Sequence, residues 1–177
     1  MQLTTPPPHP THTAVVQLEA LTVTDANLIA PLVNQLVAAE HVHTYAEAEA
    51  LLPLLPKLLG EEGVRLAGAL RDEDAHANAL MRALANAKPE VDFLAFKAAL
   101  AKLADALRAH LAREQDGIFP LLEAKMSAAE RTAFANALVA AKGHAPAPSI
   151  RDAIVDSVTG FGAAIGNLFS KVLPTVK

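Results

Sequence analysis

The chain has 177 residues, a formal net charge of −4, 52% hydrophobic and 19% charged residues, and no cysteine. That hydrophobic share excludes wholesale disorder, and the acidic balance without any Lys/Arg run excludes a nucleic-acid footprint. Without cysteine there is no disulfide, iron–sulfur cluster, thiolate zinc site or cysteine nucleophile, so any chemistry falls to the seven histidines and the acids.

Aromatic residues are only 4%, while Ala and Leu dominate, a mixture that favours helix over β-sandwich. Residues 1–10 carry four prolines and read as an extended arm. The opening MQLTTPPPHPTHT has neither a basic n-region nor an apolar h-region, which argues against a secretory signal and for a cytoplasmic location. The longest uncharged apolar-leaning stretch, Ser157 to Ser170, is too short to cross a bilayer as a helix.

Helix A is expected from Thr11, a candidate N-cap, to about Val23. Pro31 suits the first turn of helix B, which runs to about Leu59 with Pro53 and Pro56 kinking its end and Gly60 stopping it. Helix C spans roughly Glu61 to Ala87 and is broken by Lys88-Pro89-Glu90. Helix D starts at Asp92, a good N-cap, and ends near Lys125, with Pro120 distorting its last turns. Ser127 and Glu130 form a capping box for a short helix E closed by Gly143. Residues 144–148 are a linker, and 149–177 an amphipathic C-terminal helix F. The expected architecture is all-α: an up-down-up-down four-helix bundle over residues 11–143, with a short extra helix and an appended C-terminal helix.

The apolar stripes are interrupted in their middles by ionisable residues. Helix B reads Leu32, Leu36, Ala39, His43, Glu47, Leu51, Leu54; helix D reads Leu100, Leu103, Leu107, His110, Glu114, Ile118, Leu121. Helix C reads Leu66, Leu70, Glu73, His76, Leu80, Leu84. A lone histidine on such a stripe is ordinarily a hydrogen-bonded core residue. Two His-x-x-x-Glu pairs are different, because residues at i and i+4 share a face and a buried carboxylate needs a compensating charge.

Those two pairs belong to an internal repeat. His43, Glu47, Pro53 and the following Leu-Leu recur 67 residues later as His110, Glu114, Pro120 and Leu-Leu. A further histidine precedes each unit: His12 before His43, and His76 before His110. Two such helix hairpins would enclose four imidazoles and two carboxylates, a donor set suited to a pair of iron ions. Counted from the A–B turn, His12 and His43 lie at similar heights; His9 is the alternative to His12. His76 and His110 match less well, which suggests that helix D begins later. His41 is expected to point away from the core. Asp72 and Glu73 read as partners of the ligands or as caps. Glu40-x-x-His43 and Glu73-x-x-His76 match one element of a ferritin-like site, but Leu107, three before His110, breaks that pattern.

Over roughly residues 10 to 141 the sequence resembles the hemerythrin-like, or HHE cation-binding, family. The specific pieces are the doubled His-x-x-x-Glu with a hydrophobic pair and proline downstream, and the stretch Asp72-Glu73-Asp74-Ala75-His76. The resemblance implies a non-haem di-iron centre, with His12, His43, His76 and His110 as terminal ligands and Glu47 and Glu114 bridging. The arrangement is more similar to the bacterial branch that includes the repair-of-iron-centres proteins than to the invertebrate oxygen carriers. It implies binding of O2 or a related small diatomic for carriage, storage or sensing. The alternatives are a di-iron enzyme acting on peroxide, nitric oxide or ferrous iron, and a metal-free helical interaction module. Helix F carries Ile150, Ile154, Val158, Phe161, Ile165, Leu168 and Val172 on one stripe. It is read as covering the bundle or pairing with a second copy or a protein partner rather than with a membrane surface.

Overall fold

A computed structural model describes residues 10–22 and 25–147. The arm up to residue 9, with His9, and the whole of helix F lie outside the described residues. Within them the chain is helical and has no strand. The elements are α1 (Pro10–Glu19), α2 (Ala26–Ala46), a π-helical turn π1 (Glu47–Leu51), α3 (Leu54–Leu59) and α4 (Glu61–Asn86). They are followed by α5 (Phe93–Ala112), a second π-helical turn π2 (Arg113–Ile118), α6 (Phe119–Lys125) and α7 (Ala128–His144). α1 packs on α2 and α5, and α4 packs on α5 and α2, which closes a four-helix ring. Short connections make sequence neighbours antiparallel, giving the up-down-up-down bundle. α7 covers α2 and π1 from outside.

Local chemistry sets the boundaries. The Asp92 side chain accepts from the Ala95 N–H at 2.8 Å and starts α5 at Phe93, so α5 does not begin late. Ser127 and Glu130 make the expected reciprocal capping box of α7. Three expectations shift. α1 ends at Glu19, short of Val23, because beyond it the Thr22 N–H and hydroxyl both donate to Asp25 Oδ2, at 2.8 and 2.6 Å, and form a side-chain-locked turn. Thr11 lies inside the helix, fully buried, instead of capping it. α2 already begins at Ala26, which puts Pro31 inside the helix rather than in its first turn.

Prolines 53 and 120 act where the sequence pointed, but through a wider turn than a kink. In a regular helix each ring would meet the carbonyl four residues back, and each lacks an N–H to donate. The chain widens just before them. The Leu52 N–H donates to the Glu47 carbonyl at 2.8 Å, and the Phe119 N–H donates to the Glu114 carbonyl, both i to i+5. The extra residue rotates the downstream helix by one position. Leu55 and Leu122 are fully buried, while the expected Leu54 is half-buried and Leu121 is exposed.

The core is not continuous along the bundle. One apolar cluster joins Leu18, Val33, Leu36, Met81, Leu84, Phe96, Leu100 and Leu103. A second joins Leu51, Leu55, Ala67, Leu70, Ile118 and Leu122. Between them, on α2, α4 and α5, lies a layer of ionisable residues.

The corner between α3 and α4 is tight. Gly60 sits at φ +61°, a conformation that favours glycine. A Cβ on Gly63 would lie 2.0 Å from the Leu55 carbonyl oxygen, a backbone atom that cannot step aside. A Cβ on Gly68 would meet nothing within 4 Å. Gly63→Ala is therefore expected to destabilise the fold by about 1–3 kcal/mol, whereas Gly68→Ala should stabilise it by about 0.5–1 kcal/mol. Urea unfolding of the two variants checks the pair, and equal effects would contradict the close approach.

Candidate metal centre

The polar layer is assembled from the doubled His-x-x-x-Glu units. His43 lies in the last turn of α2 and Glu47 opens π1; His110 lies in the last turn of α5 and Glu114 in π2. All four are buried, at 7%, 2%, 3% and 3% exposure respectively. One ligand-type atom from each lies within 4.8 Å of every other. Glu47 Oε1 stands 2.5 Å from His43 Nε2 and 3.0 Å from His110 Nε2, while the two Nε2 atoms are 3.2 Å apart. Glu114 Oε2 lies 3.6 Å from His43 Nε2. The imidazole rings meet edge to face, at 88°.

A surrounding set of polar groups fixes this geometry. Glu73 Oε2 lies 3.2 Å from His110 Nδ1, and its other oxygen is ion-paired with Arg113 Nε at 2.6 Å. A carboxylate on the far nitrogen holds a histidine's tautomer and ring angle, which is the orienting role expected for Glu73. Glu40, at 1% exposure, accepts from the buried Thr11 hydroxyl at 3.1 Å. Asp74 Oδ1 lies 3.8 Å from His110 Nε2.

Four of the six sequence-derived ligand candidates thus come together. His12 and His76 do not; both are exposed. The reason is helical register. On α1 the buried positions are Thr11, Ala14, Val15 and Leu18, which turns His12 outward. On α4 the face through Leu70 continues as Ala77, Met81 and Leu84, with Asp74 on the same side, rather than through His76 and Leu80. Both paths keep helical spacing and share Leu70 and Leu84, so the pattern alone does not choose between them. His41 lies outside the cluster, as expected, and bonds the Pro146 carbonyl at 3.0 Å. Glu40 and Asp74 were visible only as members of Glu-x-x-His and of an acidic run.

A family model for the hemerythrin HHE cation-binding domain matches residues 11–122, more than half of the chain. The chain belongs to that family. Comparison with curated proteins and with solved structures gave no match. The HHE assignment implies cation binding, and the donor set fits it. Three buried carboxylate oxygens, Glu40 Oε1, Glu47 Oε2 and Asp74 Oδ1, have no hydrogen-bond partner among the described residues. An orphaned buried carboxylate oxygen is costly, and a cation satisfies it.

The electrostatics of the HHE site arise from this crowding. Burial opposes charge on both imidazoles, but the hydrogen bonds to Glu47 and the charges of the neighbouring acids outweigh it. His43 is raised, and His110 reaches about 9. Glu47 is held low despite burial, because it accepts from both rings. Glu40 and Glu114 are raised chiefly by burial. Asp74 is pushed to about 7 by burial and by the charge of Glu47.

The metal-free protein is therefore expected to depend on pH. Asp74 and His110 each hold a proton in the folded state at pH values where the unfolded chain has released it, so folding binds protons and stability falls as pH rises. The Asp74 part is lost between its ordinary value and about 7, and the His110 part between its ordinary value and about 9. Chelator-treated protein should melt at progressively lower temperature across this range. In Asp74→Asn the lower part of this fall should shrink, with Glu40 and Glu114 still contributing to it, while the upper, histidine part remains. Melting points that rise across the range would contradict the assignment.

Proposed function

We propose that this HHE domain holds two iron ions at the layer of His43, Glu47, His110 and Glu114, and binds O2 or a related small diatomic there for carriage, storage or sensing. The observation that carries the reading is the buried convergence of the four side chains within 4.8 Å between two apolar clusters. Nitrogen and carboxylate donors together suit iron, and when bound the ions supply the electrons that diatomic binding requires. The protein's own part is positional. Glu73 orients His110 through Nδ1, the apolar clusters on either side keep bulk water from the layer, and π1 and π2 turn Glu47 and Glu114 inward. Among the described residues no helix is long and apolar enough to cross a membrane.

A second reading, a di-iron enzyme acting on peroxide, nitric oxide or ferrous iron, draws support from an open groove of about 630 Å³ that reaches His110. Glu73, His76, Lys102 and Asp105 line it. Such a groove would give water and protons a route to one edge of the layer, which favours turnover over carriage.

Untagged protein purified without chelators should carry about two iron ions per chain. Its ultraviolet–visible spectrum, followed through reduction and air exposure, separates the two readings: reversible change with O2 supports carriage or sensing, and a single irreversible oxidation supports the enzyme. Glu47→Ala and Glu114→Ala should each abolish the two-iron site. His144→Ala should leave it intact, since that side chain bonds the Ala140 carbonyl at the exposed end of α7. Full iron content in both glutamate variants would refute the ligand assignment.

A further inference from the structure

The doubled His-x-x-x-Glu accounts for two imidazoles and two carboxylates, and leaves two further acids of the same layer unexplained, one buried and one half-buried. Glu40 lies one turn before His43 on α2, at 1% exposure, with Oε2 bonded to Thr11 and Oε1 orphaned. Asp74 lies on the buried side of α4 with Oδ1 orphaned, 3.8 Å from His110 Nε2. Glu40 and Asp74 are both close enough to His43 and His110 to interact electrostatically with them. Asp74 lies on the side of α4 from which His76 is turned away, and on α1 the inward residue beside His12 is Thr11, which bonds Glu40.

We propose that Glu40 and Asp74 are further metal ligands, which makes this centre one of two histidines and four carboxylates, with no ligand from His12 or His76. The inference rests on the metal-centre reading and specifies its ligand set.

Charge supports it. Four ionised carboxylates and two neutral imidazoles carry −4, which two divalent cations neutralise. The count of donors is also that of the ferritin-like carboxylate centres, reached on a different arrangement of helices. Leu107 rules out a Glu-x-x-His at His110, and Asp74 of α4 supplies the missing carboxylate. α1 contributes no ligand; the Thr11 hydroxyl holds one oxygen of Glu40 and leaves the other for an ion. So oxygen-rich a set favours hard and intermediate cations, Fe(II) and Mn(II), over Cu or Zn.

The test is anaerobic titration of the chelator-stripped full chain with Fe(II) and, separately, Mn(II). Ions per chain are read by elemental analysis and free Mn(II) by electron paramagnetic resonance, with circular dichroism to check folding. Wild type should hold two ions. Glu40→Gln and Asp74→Asn should drop to one or fewer, or bind at least about tenfold more weakly, while His12→Ala and His76→Ala should match wild type. Wild-type stoichiometry and affinity in both acid variants would overturn the proposal, as would loss of an ion in either histidine variant. If the acid variants do not fold, the histidine variants decide it. A wild-type chain that takes up neither metal would instead overturn the di-iron reading itself, and the ligand set with it.

Discussion

The structure is organised around carboxylates that have been taken out of water. An ionised carboxylate in an apolar interior costs several kcal/mol, against a total stability for such a domain of about 5–15 kcal/mol. This bundle places Glu40, Glu47 and Glu114 there, with Asp74 at the edge. The cost is met in layers: imidazoles bonded to Glu47, a threonine hydroxyl on Glu40, shared protons, and three oxygens that remain for a cation. The two apolar clusters on either side supply the burial energy that lets the polar layer exist.

The backbone is shaped to deliver these acids. Each π-helical turn begins with or contains the glutamate of a His-x-x-x-Glu pair, and in each the glutamate's own carbonyl accepts the i to i+5 bond. Such turns are rare and concentrate at functional sites. Here their cause is the downstream proline, and their consequence is a register shift that buries Leu55 and Leu122 beneath the layer. Structural proline and ligand placement are thus one device, used twice at a separation of 67 residues.

The two halves are not equivalent, however. The position of Glu40 in the first unit corresponds to Leu107 in the second. His110 has Glu73 and Arg113 behind it and the open groove at its edge, whereas Glu40 is enclosed with Thr11. Among the described residues, the two halves thus differ in their surroundings, Glu40 being enclosed and His110 bordering a groove.

Much of this was legible in the sequence because it depends on local, periodic physics. Helical composition, the caps at Asp92 and Ser127, the repeat and the four central ligand candidates all derive from spacing of three and four residues and from the cost of buried charge. What the sequence could not choose was which of two overlapping helical faces turns inward. On α1 and α4, His12 competes with Thr11, and His76 with Asp74, one or two positions away on a helix. Periodicity tolerates either, and a histidine is the more conspicuous metal ligand. Packing of Ala14, Leu18, Ala77 and Met81 against the other helices decides the rotation, and so turns both histidines outward. The π-turns were likewise hidden, since a proline announces a distortion but not its form. The sequence by itself determined that charge must be buried in this bundle; only tertiary packing decided which side chains share it.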